Sequence, residues 1–168
     1  MRQEAEIAQK KKIILTRKIM KISGTIITLN AEKYILRAVE SLKLISDEVI
    51  VLDSDSTDST RKIAESAGAK VYIQSFLGDG PQKKEASKYA SNDWVFSLDA
   101  DEYLDKDLID YVNNIKHFDN RYDSFAFRRK NFCGDEWIKA AGFYPDYVTF
   151  IIHVTVSYTH LRAHETDS

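Results

Sequence analysis

The chain holds a single cysteine in 168 residues, Cys133. That excludes an intramolecular disulfide, argues against a cysteine-built metal site, and fits a reducing cytoplasm. No apolar run is long enough to cross a bilayer, and no signal-peptide pattern stands in the sequence. Glycines number six. Gly78 and Gly80 do not open a dinucleotide fingerprint, because Lys83 breaks the Gly-x-Gly-x-x-Gly spacing, and no Gly-Lys-Ser/Thr phosphate loop occurs. His117 and His153 lack ligand-like spacing and read as structural. Net charge is only −2, but it is unevenly spread. The first 22 residues carry seven Lys/Arg against two Glu, and the remainder carries 17 against 24. An acidic body argues against nucleic acid as the main partner.

What is present is a chain long enough for one domain with a core, 43% hydrophobic and 30% charged, the balance of a soluble globular protein. Both ends look foreign to it. Residues 1–19 form a basic extension ahead of Met20, read as a solvated tail, with a lipid-facing role for Lys10–Lys18 as the alternative. The run Val156–Thr166 resembles the translation of a sequencing-library adapter. Residues 156–168 are therefore expected to be an artefact, and the domain, 20–155, to be truncated at its C-terminus.

Between these ends, strands alternate with helices. The apolar, β-branched runs Gly24–Leu29, Glu48–Leu52, Ala69–Ile73 and Trp94–Leu98 read as strands. Asn30 is placed to cap a helix whose apolar face is Ile35, Ala38, Val39, Leu42 and Ile45. A second helix carries Ile63, Ala64 and Ala67 and stops at Gly68; a third starts at Pro81 and runs to about Tyr89. A fourth carries Leu104, Leu108, Ile109, Val112 and Ile115, and Ser124–Arg128 alternates like a strand. This order predicts an α/β fold with a mostly parallel sheet and ligands beyond the carboxyl ends of its strands.

Three polar motifs fall at those ends: Thr28-Leu29-Asn30-Ala31-Glu32, Asp53-Ser54-Asp55-Ser56-Thr57-Asp58, and Asp99-Ala100-Asp101-Glu102. Two carboxylates ending an apolar strand need a positive partner, and a hard divalent cation carrying a diphosphate suits them. The Asp53 run fails the EF-hand pattern, since Thr57, Asp58 and Ala64 occupy its fifth, sixth and twelfth positions. Trp137, Phe143, Tyr144 and Tyr147 read as core or as a sugar platform, and Arg128 and Arg129 as surface charge, with contact to an acidic acceptor as the alternative.

These motifs, over about Lys21–Ile152, resemble those of family-2 inverting glycosyltransferases. Gly78–Ala86 and Gly142–Tyr147 resemble the lipopolysaccharide-core β-1,4-glucosyltransferase subgroup. The resemblance implies a GT-A (Rossmann-like) fold and transfer from a nucleotide-sugar donor, expected to be UDP-linked, with Mg²⁺ or Mn²⁺. Thr28, Asn30 and Glu32 would line the nucleotide pocket, and Asp53, with Asp55 beside it, would contact base or ribose. Asp101 would be the main metal ligand, with Asp99 nearer the sugar or ribose, and Lys83 and Lys84 would face the diphosphate. An inverting reaction needs a base for the acceptor hydroxyl. Asp135, Glu136 and Asp146 are candidates; Asp146 is favoured, with a residue further downstream as the alternative. The acceptor would be a saccharide or lipid-linked saccharide of the cell envelope, met at the cytoplasmic face of the inner membrane by peripheral association. The rival reading is a nucleotide-sugar or metal-binding fragment without turnover.

Overall fold

Three apolar runs become the centre of one sheet: β1 (Ile22–Thr28), β2 (Glu48–Asp53) and β4 (Trp94–Asp99). β1 pairs in parallel with β2 on one side and β4 on the other, and β3 (Lys70–Ile73) extends the sheet in parallel beyond β2. The computed structural model describes residues 19–116, 123–133, 136–139 and 146–153, with the backbone alone at 149–152. Expectations that concern residues 1–18, His117, Asp135, 140–145 and 154–168 lie outside the described residues.

The sheet does not end with the parallel strands. β5 (Ser124–Arg129) and β8 (Asp146–His153) complete the order β3-β2-β1-β4-β8-β5, β8 antiparallel to β4 and β5 antiparallel to β8. β6 (Phe132–Cys133) and β7 (Glu136–Trp137) form a separate antiparallel pair. The sequence pattern shows β5 but not β8. Aromatic contacts hold this extension on: Trp94 lies edge-on to His153 at 4.9 Å, and Phe96 stacks with Phe127 at 6.2 Å. His153 is thus structural, as expected.

The four helices are α1 (Ile35–Lys43), α2 (Thr60–Ser66), α3 (Asp79–Ser87) and α4 (Lys106–Ile115). Ile22, Ile26, Val49, Val51, Phe96 and Leu98 form one cluster with Ile35, Val39 and Leu42 of α1 and Val112 of α4. Side chains alternate along a strand, so Thr25, Ser97 and Asp99 point to the opposite side, where α3 meets Asp99 through Lys83. That second layer is more polar: Ser23, Thr25 and Gln82 are all fully buried.

Two local expectations change. Asn30 does not cap α1, whose first turn follows Tyr34 with no side-chain cap. α3 starts two residues before Pro81, which still sits in the first turn, where its missing N–H costs nothing. Gly68 ends α2 with φ of +89°, as its position implies.

The amino-terminal edge of the sheet is stitched by one carboxylate. Glu48 Oε1 accepts from Ser23 Oγ (2.7 Å), Ser91 N (2.7 Å) and Ser91 Oγ (2.6 Å), while Oε2 pairs with Lys70 Nζ at 2.7 Å. Burial alone pushes this carboxyl up; the bonds from Lys70, Ser91 and Ser23 outweigh it and bring its pKa down to about 2. A pKa depressed in the folded state stabilises above the unfolded value and is lost as pH falls through the folded one. Glu48 therefore stabilises the fold at neutral pH, and that contribution is lost between roughly pH 4.5 and 2. Glu48→Gln is expected to remove most of that and flatten stability across the same window, as read by urea unfolding at several pH values.

Candidate functional site

The carboxyl ends of β1, β2 and β4 lie side by side, with Thr28 opposite Asp53 and Ile27 opposite Asp99. The loops after β1 and β2 are sewn to each other. Asn30 N–H donates to Ser56 Oγ (2.8 Å), Ala31 N–H to Thr60 Oγ1 (2.8 Å) and Glu32 N–H to Asp58 Oδ2 (3.1 Å). In return, Thr57 N–H donates to Asn30 Oδ1 (2.8 Å) and Ser59 N–H to Glu32 Oε2 (3.0 Å). Asn30 and Asp55 take the left-handed backbone, φ +48° and +64°, which Asn and Asp tolerate best among side-chain-bearing residues.

Asp53 is fully buried. Its Oδ1 accepts from Ser56 N–H at 2.8 Å and lies 3.7 Å from Arg61 Nε; its Oδ2 is buried with no hydrogen-bond partner among the described residues. The buried Thr28 hydroxyl is likewise unpartnered. Unmet polar atoms inside a protein carry a cost, and these two stand on neighbouring strands at the carboxyl edge. Beside them opens a cavity of about 390 Å³, lined by Thr28, Asn30, Ser54, Asp79, Asp99 and Asp101, with Tyr34 and Phe76 also in its wall.

Lys83 Nζ lies 2.9 Å from Asp99 Oδ1, so α3 brings a cation to the acidic turn. The neighbouring Gln82 ties the same helix to the loops after β2 and β3. Its Nε2 donates to Ser54 Oγ and to the Gln74 carbonyl, both at 3.1 Å, and its Oε1 accepts from Leu77 N–H at 3.2 Å. Asp101 is exposed on the cavity wall. Among the described residues no group of three or more His, Cys, Asp or Glu is placed to hold a metal ion. Two carboxylates without a cage fit Mg²⁺ or Mn²⁺, ions that keep waters and bind through one or two carboxylates plus substrate phosphates.

Glu102 folds back on the same turn: its Oε2 accepts from the Asp99 N–H at 3.0 Å, and its Oε1 pairs with Arg129 Nη1 at 3.2 Å. Arg129 also holds Asp146 Oδ2, with Nε and Nη2 both at 2.8 Å, and Asn131 Nδ2 donates to the same oxygen at 3.2 Å. Burial pushes the Asp146 carboxyl up, but Asn131 and Arg129 outweigh it, and the net result lies below the ordinary range.

Of the residues expected from sequence, the structure brings Thr28, Asn30, Asp99 and Asp101 to one cavity, with Asp53 beside Thr28 in the sheet and Lys83 on Asp99. Glu32 instead braces Ser59, and the Asn30 side chain is engaged with Thr57. Asp55 accepts from Ser75 Oγ at 2.9 Å, away from Asp53's free oxygen. Lys84 is exposed on α3, and Glu136 lies in the β6–β7 pair. Sequence reasoning gave no role to Gln82, Glu102, Tyr34 or Phe76 and read Arg129 as surface charge. Gln82 and Glu102 stood inside quoted motifs, yet nothing local marks a long-range partner.

A mostly parallel α/β sheet with a cavity and an acidic turn on its carboxyl edge defines a protein of GT-A type. The family model described as glycosyl transferase family 2 matches residues 23–160, and the chain belongs to that family. It is 47% identical over 110 residues to an uncharacterized glycosyltransferase of Rickettsia conorii, covering 64% of this chain and 39% of the relative. It is 38% identical over 92 residues to the lipopolysaccharide core biosynthesis glycosyltransferase LpsC of Rhizobium meliloti, covering 52% of this chain and 34% of that one. Among solved structures, glucosyl-3-phosphoglycerate synthase from Mycobacterium tuberculosis, in complex with Mn²⁺, uridine diphosphate and glucosyl-3-phosphoglycerate, is similar at 31% identity and TM-score 0.44, over 48% of this chain and 33% of that chain. The chain thus spans under two fifths of the length of the curated relatives named here.

Proposed function

We propose that the cavity binds a nucleoside-diphosphate sugar, with UDP as the nucleotide, and that the whole protein transfers the sugar with inversion to a saccharide acceptor of the cell envelope. The observation that carries this is the cavity itself, with Thr28 in its wall beside the unpartnered Asp53 of the neighbouring strand, and the Asp99–Asp101 turn, met by Lys83, in the same wall. The first pair offers hydrogen-bond acceptors and a hydroxyl to a base and ribose. The second offers two hard oxygen ligands and a cation to a diphosphate.

Asp101 and Asp99 would hold Mg²⁺ or Mn²⁺, which neutralises diphosphate charge and improves it as a leaving group. Lys83 adds a positive charge at the same place and is free to move from Asp99 to a phosphate oxygen. In the transfer, the acceptor oxygen bonds to the sugar's anomeric carbon and the bond from that carbon to the diphosphate breaks. The electron pair leaves on the diphosphate, and the hydroxyl proton goes to a base. Asp146, favoured for that role from sequence, is a weaker base than a free carboxylate because of Arg129 and Asn131; the proposal places no proton on it.

The acceptor class rests on the resemblance to lipopolysaccharide-core enzymes and on the likeness to LpsC. Such acceptors are membrane-held, so peripheral association at the cytoplasmic face of the inner membrane goes with the proposal. Among the described residues no helix is long and apolar enough to cross a membrane. Calorimetric titration of UDP with and without Mn²⁺ tests the reading. Mn²⁺-dependent binding is expected. Indifference to UDP and to other nucleoside diphosphates would overturn it. Binding without transfer from any UDP-sugar would leave a donor-binding unit only.

A further inference from the structure

The acidic turn is held from outside by a strand that the sequence places 27 residues away. β8 runs antiparallel to β4, so its first residue, Asp146, lies at the carboxyl edge of β4. β5 runs antiparallel to β8, so its last residue, Arg129, arrives at the same edge directly opposite Asp146. The guanidinium then bridges two acids from different elements: Nε and Nη2 on Asp146, Nη1 on Glu102. Glu102 spends its second oxygen on the Asp99 amide. The next residue of the same segment, Lys130, pairs with Asp105 Oδ2 at 2.8 Å, and Asp105 caps α4 by accepting from Leu108 N–H. Adjacent basic residues therefore grip the 99–105 segment at its middle, Glu102, and at its end, Asp105.

Arg129 is 39% exposed, so its ion pairs do little for global stability. Their geometry is the specific feature. A planar guanidinium held on one side by Asp146 has little freedom left in how it presents Nη1 on the other. That direction sets Glu102, and Glu102 sets the start of the turn that carries Asp101.

We propose that Arg129, anchored by Asp146, is a positioning residue that acts through Glu102 on the Asp99-Ala100-Asp101 turn and so tunes its affinity for a divalent cation carrying a nucleoside diphosphate. The inference rests on the donor-site reading above. It gives Asp146 the work of an anchor in place of a proton acceptor. Groups that orient metal ligands from behind change metal affinity by about 10- to 100-fold when removed.

The test is calorimetric titration of the full chain with UDP, with and without Mn²⁺, for the wild type, Arg129→Gln, Arg129→Lys, Asp146→Asn, Glu102→Gln and the Arg129→Gln/Glu102→Gln double variant. Arg129→Gln and Asp146→Asn are expected to weaken Mn²⁺-dependent UDP binding about tenfold and to leave metal-free binding and the melting temperature nearly unchanged. Arg129→Lys recovers part of the loss, and the double variant is no worse than the poorer single one, since both act through one path. A purely structural ion pair would instead lower metal-free and metal-dependent binding together. Should Arg129→Gln not fold, Arg129→Lys and Asp146→Asn carry the same comparison. Unchanged Mn²⁺-dependent affinity in the variants of a wild type that binds overturns the inference alone, as does an Asp146→Asn protein that binds normally but cannot transfer. A wild type that ignores UDP and Mn²⁺ overturns the donor-site reading and the inference with it.

Discussion

Asp101→Ala is expected to weaken Mn²⁺-dependent UDP binding severely and to leave the fold intact. Asp101 is exposed at the cavity wall, two residues beyond the end of β4, and its carboxylate makes no hydrogen bond or ion pair with the described residues. Nothing in the resting protein depends on it, so its removal costs little stability. Under the donor-site proposal it is the least encumbered metal ligand, because Asp99 is already paired with Lys83. Losing one of two protein ligands is expected to cost on the order of 100-fold or more in affinity for UDP with Mn²⁺, about 3 kcal/mol. Asp99→Ala is a less clean experiment, since it also frees the Lys83 ammonium. Calorimetry with and without Mn²⁺, beside a thermal melt of each protein, reads the effect. An Asp101→Ala protein that binds UDP with Mn²⁺ as tightly as the wild type would remove Asp101 from the proposed metal site.

Gly24→Val is expected to cost about 3 kcal/mol of stability and to lower the melting temperature by about 10 °C. Gly24 sits in β1, paired on both sides, where α1 crosses close above the sheet. A Cβ built there would lie 2.5 Å from both Cγ and Cδ2 of Leu42 and 2.9 Å from Ser46 Oγ. Leu42 is fully buried within the main cluster, so it has no open space to retreat into. Relief requires α1 to lift, and α1 carries Ile35, Ala38 and Val39 into the same core. Differential scanning calorimetry decides: a melting temperature within about 2 °C of the wild type would mean that α1 moves away at almost no cost.

Much of the architecture was legible because it is local. Val49-Ile50-Val51-Leu52 is too short for a helix and apolar on both faces, as a strand covered on both sides must be. Ile35, Ala38, Val39 and Leu42 repeat at helical spacing, and all four are buried. The ends of β1, β2 and β4 follow from where those runs turn polar, which is why Thr28, Asp53 and Asp99 could be placed on one edge in advance. β8 lacks such a local signal, because the stretch before it is irregular and aromatic, and its place between β4 and β5 is set by pairing with strands distant in sequence.

Strand–helix alternation, and with it the edge on which the polar motifs gather, is written locally in the chain, because periodicity and strand ends are properties of neighbouring residues. How those motifs divide their work is settled by long-range packing. Glu32 became a brace for Ser59 and Asn30 for Thr57, while Thr28 and Asp53 kept oxygens free for something else. Lys83 met Asp99 from a helix that Gln82 ties to Ser54, and Arg129 met Glu102 because two antiparallel strands returned it to that edge. Each of these choices is made by distance and desolvation among groups far apart in the chain, and no local pattern encodes which distant partner a side chain will find.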